Sequence, residues 1–230
     1  MMKKKIVVLT GAGISEESGI RTFRDANGLW EGHDVMEVAS PEGFSKNPSL
    51  VLEFYNQRRR QLKEVKPNKA HQLLVRLENE YDVVIITQNV DDLHERAGSS
   101  NVIHLHGELL KSRGVDNDAE IFDCQDDILL GDLSPSGVQL RPHIVWFGED
   151  VPLITKAIEQ VETADIFLIV GTSLQVYPAA GLIHYTQPKT PVYYVDPFPQ
   201  IQSNKQLTVI AQKASSGVQK AIETIKSHII

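Results

Sequence analysis

The chain has 230 residues, 41% of them hydrophobic and 23% charged, enough apolar material for the core of one α/β domain with a small inserted lobe. A formal net charge of -7 gives bulk electrostatics no pull toward nucleic acid, and a single cysteine, Cys124, excludes an intramolecular disulfide. No stretch approaches the roughly 20 apolar residues of a membrane helix. The apolar run after Lys3-Lys4-Lys5 soon meets Glu16-Glu17 without a cleavage site, so a cytoplasmic protein with no membrane partner is expected.

In chain order, Ile6–Leu9 predicts a buried strand that runs through Thr10 into Gly11-Ala12-Gly13-Ile14-Ser15. Glycines after a first strand let backbone approach a pyrophosphate, and a following helix N-terminus then supplies amide donors. Glu16 stands where the dehydrogenase fingerprint wants a third small residue, which argues against hydride transfer. Gly19-Ile20-Arg21-Thr22-Phe23-Arg24-Asp25 follows, bringing a cation for phosphate oxygens and an aromatic to cover a ring. Asn47-Pro48 reads as the cap and first turn of a helix reaching toward Leu62. A second helix after Pro67-Asn68 carries Ala70, Leu73, Leu74 and Leu77.

The strand Val83–Ile86 ends in Thr87-Gln88-Asn89-Val90-Asp91-Asp92-Leu93-His94. That puts Gln88, Asn89 and Asp91 at a carboxyl strand end, where open α/β sheets bind ligands; taken alone, the run also reads as a capped turn. Next, His104-Leu105-His106-Gly107 would place both imidazoles on one face of an extended segment. A helix is expected over about Leu153 to Val161, then strands Ile166–Val170 and Val192–Val195, then a last helix capped by Ser216. Gly171-Thr172-Ser173 makes a further phosphate- or ribose-binding turn. Buried strands alternating with helices imply a Rossmann-like doubly wound parallel sheet in a single catalytic domain over 1–230. Residues of about 20–75 and the polar stretch 108–143 break the alternation and are expected to form a small inserted lobe.

These pieces, in this order, resemble the sirtuins over nearly the whole chain. The matching motifs are Gly11–Ser15 with Gly19 to Asp25, Thr87–His94, His106-Gly107, Val145-Trp146-Phe147-Gly148-Glu149, and Gly171–Ser173 with Val176 to Ala179. The resemblance implies an NAD-dependent protein-lysine deacylase that consumes NAD as co-substrate and takes acyl-lysine proteins or peptides as partners. In that family the acyl oxygen attacks C1′ of the nicotinamide ribose, and free lysine, nicotinamide and O-acyl-ADP-ribose result. By the same resemblance His106 is the catalytic base. Cofactor contacts fall to Gly11, Ala12, Gly13, Ser15, Phe23, Arg24, Trp30, Gln88, Asn89, Val90, Asp91, Gly171, Thr172 and Ser173. Asp196, where many relatives carry Asn, would face the adenine ribose, and Ala214 would lie at the adenine. Val145, Phe147 and Gly148 match the strand that pairs with the substrate peptide, with Phe147 against the lysine stem.

Tyr55 and Arg58 are three apart on the first long helix and so neighbours on one face, where a phenol and a guanidinium can grip a carboxylate. The pair resembles the Tyr-x-x-Arg of sirtuins that remove succinyl, malonyl or glutaryl groups, which implies activity on acidic acyl-lysines with deacetylation retained. Arg59 and Arg60 are expected on the solvated face. Most sirtuins hold a structural zinc with two cysteine pairs, but 108–143 contains only Cys124, and the spacing of Asp116, Asp118, Asp123, Asp126, Asp127 and His143 is irregular. No zinc is therefore expected, with the lobe packed through Ile121, Phe122, Ile128 and Leu129. Two other functions use the same nucleotide loops: mono-ADP-ribosyl transfer, and a non-catalytic NAD or ADP-ribose sensor. The set Asn89, Asp91 and His106 argues against a sensor, and His106 with the substrate strand argues against a transferase.

Overall fold

A computed structural model describes residues 3–21, 29–30 and 32–229. In chain order its elements are β1 (Lys5–Thr10), β2 (Leu29–Trp30), β3 (His33–Asp34), α1 (Val35–Val38), α2 (Pro41–Lys46), α3 (Pro48–Glu64), α4 (Lys69–Leu77) and β4 (Asp82–Thr87). There follow α5 (Leu93–Ala97), β5 (Val102–His104), β6 (Gly107–Gly114), β7 (Asn117–Asp123), β8 (Leu140–Ile144), α6 (Ile154–Glu162), β9 (Ile166–Val170), β10 (Val192–Val195), β11 (Leu207–Ile210) and α7 (Ala214–Ile229).

Six strands form one parallel sheet in the order β11-β10-β9-β1-β4-β5. Successive residues of each central strand bury on opposite faces, because both faces are covered. Ile6, Val8, Val83, Ile85 and Leu168 pack under α4 and α7, while Val7, Leu9, Val84, Ile86 and Phe167 pack under α6 and the short helical segment Ala179–Tyr185. This is the Rossmann-like doubly wound fold that the alternation of strands and helices predicts. Among the described residues no helix is long and apolar enough to cross a membrane.

A second, antiparallel sheet in the order β7-β6-β8 builds the small lobe and rests on α3 through Phe54, Tyr55, Leu109, Ile144 and Trp146. The long helix starts where its sequence says it should: the Asn47 side chain accepts the amide of Leu50 at 3.1 Å, and Pro48 fills the first turn. It stops at Val65, which is extended ahead of Lys66-Pro67. The helix α4, by contrast, gives Ala70, Leu74 and Leu77 to the core of the parallel sheet. The excursion expected over about 20–75 therefore ends near Glu64.

Three other expectations change. Ser216 lies inside α7 and donates back to the Lys213 carbonyl; the first-turn amide of Ser215 is met instead by Glu17 Oε2 at 2.8 Å. Arg59 is not on a solvated face but fully buried: Nε donates to the Leu109 carbonyl at 3.1 Å and Nη1 to Asn56 Oδ1 at 2.7 Å. Arg60 does face solvent, pairing with Glu53 and Asp127. In the lobe only Ile128 of the expected packing set is buried, while Ile121 and Leu129 are exposed and Phe122 is half-buried. Apolar packing falls instead to the seam with α3 at Leu109, Ile144 and Trp146, and polar contacts add to it. Asn56 of α3 both donates to the Ile128 carbonyl and accepts its amide, at 2.9 Å each. Among the described residues no three of His, Cys, Asp and Glu come together as a metal-binding group.

Two buried histidines, His71 and His94, meet edge to face at 4.9 Å. The ring of His71 completes a capping box by accepting the Asn68 amide. Burial holds both below the ordinary histidine range, His71 at about 4. Between the unfolded value of 6.5 and that level, the unfolded chain takes a proton that the folded chain refuses, so stability falls as pH drops through this window. His71→Gln keeps a capping side chain and removes the titration. Wild type is expected to lose about 1.4 kcal/mol more per pH unit than this variant between pH 6 and 5. Urea midpoints at the two pH values test this, and parallel slopes would remove His71 from the account.

Candidate active site

The chain leaves β1 toward β4 and β5 on one side and returns through β9, β10 and β11 on the other, which opens a crevice at the carboxyl ends of β1 and β9. Roofed by the small lobe, it forms a cavity of about 940 Å³. Its floor is made of two turns packed backbone to backbone. Gly13 N donates to the Gly171 carbonyl at 2.8 Å, and a Cβ on Gly13 would stand 2.7 Å from Gly171 Cα. Gly171 has φ +64, and a Cβ there would meet Ile14 N at 2.4 Å. These glycines are required by turn-on-turn contact as well as by any approach to phosphate.

The glycine loop does not open into an α-helix. Two single 3-10 turns follow, Ala12–Ile14 and Glu16–Ser18, ended by Gly19 at φ +95. Amide donors here belong to tight turns rather than to a helix N-terminus.

The tip of β4 is wired to this floor. Gln88 Nε2 donates to Thr172 Oγ1 at 3.1 Å, Asn89 Nδ2 to Ser15 Oγ at 3.1 Å, and Ser15 Oγ to Asp91 Oδ2 at 2.9 Å. Behind them, Thr87 Oγ1 accepts from both the Asn89 amide and Thr10 Oγ1. Burial raises the Asp91 carboxyl above its ordinary value, opposed by the Ser15 hydroxyl and the Leu93 amide.

His106 sits in the cavity wall with its Nδ1–H donating to the Gln88 carbonyl at 3.0 Å. That bond assigns the proton to Nδ1 and leaves Nε2 as an acceptor. Burial lowers the pKa of the ring, the Gln88 carbonyl opposing, so the imidazole is neutral near pH 7. His104 does not share this face as alternation predicts. The strand ends at His104, a turn at Leu105-His106 intervenes, and His104 bonds to Glu95 Oε1 at 2.8 Å and to the Asn89 carbonyl at 3.2 Å.

At the lobe side, the Val145 amide donates to the His106 carbonyl and the Phe147 amide to the Ala39 carbonyl, both at 2.9 Å. Phe147 is left 40% exposed beside Gly148 in the wall. Tyr55 and Arg58 occupy the wall on one turn of α3. The Arg58 guanidinium lies 3.2 Å from the centre of the Phe54 ring, with Trp30 at 5.6 Å, and Tyr55 is wholly buried. Burial pushes the Tyr55 phenol far above its ordinary range. Its oxygen accepts the Trp146 indole N–H at 3.0 Å.

The cavity wall thus gathers Gly11, Ala12, Gly13, Ser15, Trp30, Gln88, Asn89, Val90, Asp91, His106, Gly171, Thr172, Ser173 and Asp196. Tyr55, Arg58, Val145, Phe147 and Gly148 line it as well. Phe23 and Arg24 lie outside the described residues. Ala214 is not brought to the wall; it is buried in the sheet core with Val195 and Val218. The sequence reading missed Tyr177 and Phe198 at the rim, each 71% exposed. Phe198 carried a signal: it stands two residues beyond Asp196, whose Oδ1 accepts the Phe198 amide at 2.8 Å and so turns the ring outward.

Residues 11–178 match the model of the Sir2 family. A Helicobacter pylori NAD-dependent protein deacylase is 61% identical over 194 residues, covering 84% of this chain and 85% of that one. A Bacteroides thetaiotaomicron NAD-dependent protein deacylase is 54% identical over 224 residues, covering 94% and 96%. Among solved structures, a Sir2 homologue in complex with NAD superposes with TM-score 0.86 at 37% identity, covering 99% of this chain and 91% of that one. A Sir2 protein bound to the inhibitor EX-527, 2′-O-acetyl-ADP-ribose and a deacetylated p53 peptide gives 0.79 at 30% identity, covering 97% and 95%.

Proposed function

This chain belongs to the Sir2 family and is an NAD-dependent protein deacylase, and we propose that it removes acidic acyl groups, succinyl and malonyl, from lysine as well as acetyl. The supporting observation is the placement of Arg58 and Tyr55 on one turn of α3, in the wall of the cavity that holds His106. A guanidinium binds a carboxylate through two parallel bonds, and a phenol adds a third donor.

The dinucleotide fits the turns at Gly11–Gly13 and Gly171–Ser173, which line the cavity at the carboxyl strand ends, with Asp196 placed for ribose hydroxyls. When bound, NAD supplies an electrophilic ribose carbon and nicotinamide as leaving group. The Ser15–Asn89–Asp91 set fixes the groups that face the nicotinamide half, and its members are already hydrogen-bonded to one another, so little reorganises on binding. His106 Nε2 accepts the proton of a ribose hydroxyl, with Gln88 holding the ring in the required tautomer. Val145, Phe147 and Gly148 align the peptide, and Phe147 covers the lysine stem. The products are free lysine, nicotinamide and O-acyl-ADP-ribose. We also propose that the lobe needs no metal; its attachments through Asn56 and Arg59 support that reading.

The test compares NAD-dependent removal of succinyl and acetyl from otherwise identical lysine peptides by wild type and by Tyr55→Phe/Arg58→Met. Loss of a charge-assisted pair is expected to lower kcat/KM for desuccinylation roughly 10- to 100-fold while deacetylation changes little. Deacetylation alone, indifferent to the pair, would discard the acidic-acyl reading and keep the family.

A further inference from the structure

The Trp146 indole N–H donates to the buried Tyr55 oxygen at 3.0 Å, and this is the one hydrogen bond that Tyr55 Oη makes among the described residues. An indole nitrogen donates and never accepts. The bond therefore occupies an acceptor position on the phenol oxygen and leaves its proton to point elsewhere.

Trp146 is itself clamped. Glu149 Oε2 accepts its backbone amide at 2.8 Å, and the Arg141 guanidinium lies 3.2 Å from the centre of the indole. Arg141 is in turn held by both Glu149 oxygens, at 2.6 and 3.1 Å. Phe44 covers the same indole at 5.3 Å. The indole therefore has no easy rotation away from Tyr55.

We propose that Trp146 is a positioning residue for acyl specificity: by donating to Tyr55 Oη, it biases that hydroxyl to donate toward the acyl end. A hydroxyl biased to donate favours a carboxylate, which only accepts, over a primary amide, which must also place its N–H groups. The inference rests on the acidic-acyl reading above.

Trp146→Phe keeps an aromatic face for Arg141 and removes the donor. With three peptides, carrying succinyl-lysine, its primary-amide isostere and acetyl-lysine, the variant is expected to raise KM for succinyl roughly five- to tenfold with kcat near wild type. KM for acetyl should hold, and the preference for succinyl over the amide should narrow. Equal losses on succinyl and acetyl would mark Trp146 as merely structural and overturn the proposal, as would an unchanged succinyl KM. If Trp146→Phe does not fold, a tryptophan isostere with sulfur in place of the indole N–H at position 146 preserves volume and reads the same quantities. Loss of desuccinylation in Tyr55→Phe/Arg58→Met without any effect at Trp146 would sink the positioning role alone. No desuccinylation by wild type would sink both.

Discussion

Replacing His106 with alanine is expected to lower kcat for deacylation by roughly 10²- to 10⁴-fold while NAD binding persists. The side chain is set up for one task. Its Nδ1–H is engaged by the Gln88 carbonyl, so the free nitrogen is Nε2, and burial keeps the ring neutral at pH 7. A lowered pKa moves proton uptake to more acidic solution, so kcat/KM of the wild type should hold down to pH 6.5 and fall only below it. The residual activity of His106→Ala should lack that acid limb. Titration calorimetry with NAD separates chemistry from binding: intact binding with lost turnover supports a base, whereas joint loss would make His106 a binding residue. Turnover within tenfold of wild type would end the assignment.

Glu149→Ala is expected to destabilise the fold by about 3–5 kcal/mol, a large share of the stability of a domain this size. The Arg141 and Arg113 side chains are 4% and 8% exposed, and both reach this one carboxylate. Removing it leaves two desolvated guanidinium groups and an unaccepted Trp146 amide. Burial pushes the Glu149 carboxyl up, but the bonds from Arg141 and the Trp146 amide prevail and hold it below its ordinary value. The pair's contribution is therefore complete above the unfolded glutamate value of 4.5 and is lost as pH falls through the lower folded value. Urea unfolding at pH 7 measures the effect. A change under 1 kcal/mol would mean that the two arginines find other partners once the carboxylate is gone.

Where the sequence could be read, it was the local signals that allowed it. Short apolar runs rich in β-branched residues marked β1, β4, β9 and β10, and Asn47 and Asn68 marked two helix starts with bonds now visible at both. In the parallel sheet β11 escaped and β5 was read only through the extended segment at His104; they are four and three residues long and lie at the sheet edges, where one side needs no partner and the apolar signal thins. Arg59 was misread because what covers it lies outside its own neighbourhood: the Leu109 carbonyl that its Nε meets is 50 residues away. The His104 error has a similar root, since strict alternation assumes a strand that continues, and a turn interrupts it at Leu105. In the site, most of the described motif residues converged on one cavity, whereas the link between Trp146 and Tyr55 joins parts of the chain 91 residues apart and has no linear signature.

The middle of α3 alternates two assignments over five consecutive positions. Tyr55 and Arg58 face the cavity, while Asn56 and Arg59 hold the backbone of the lobe at Ile128 and Leu109. Transplanting the lobe from a relative would thus be an operation on this helix as much as on residues 107–144. A graft that carried only the three-stranded sheet would arrive without its anchorage, and one that carried the helix too would bring the donor's side chains at 55 and 58 with it. On the acidic-acyl proposal, ligand selectivity and lobe attachment would travel together as a single exchangeable cassette.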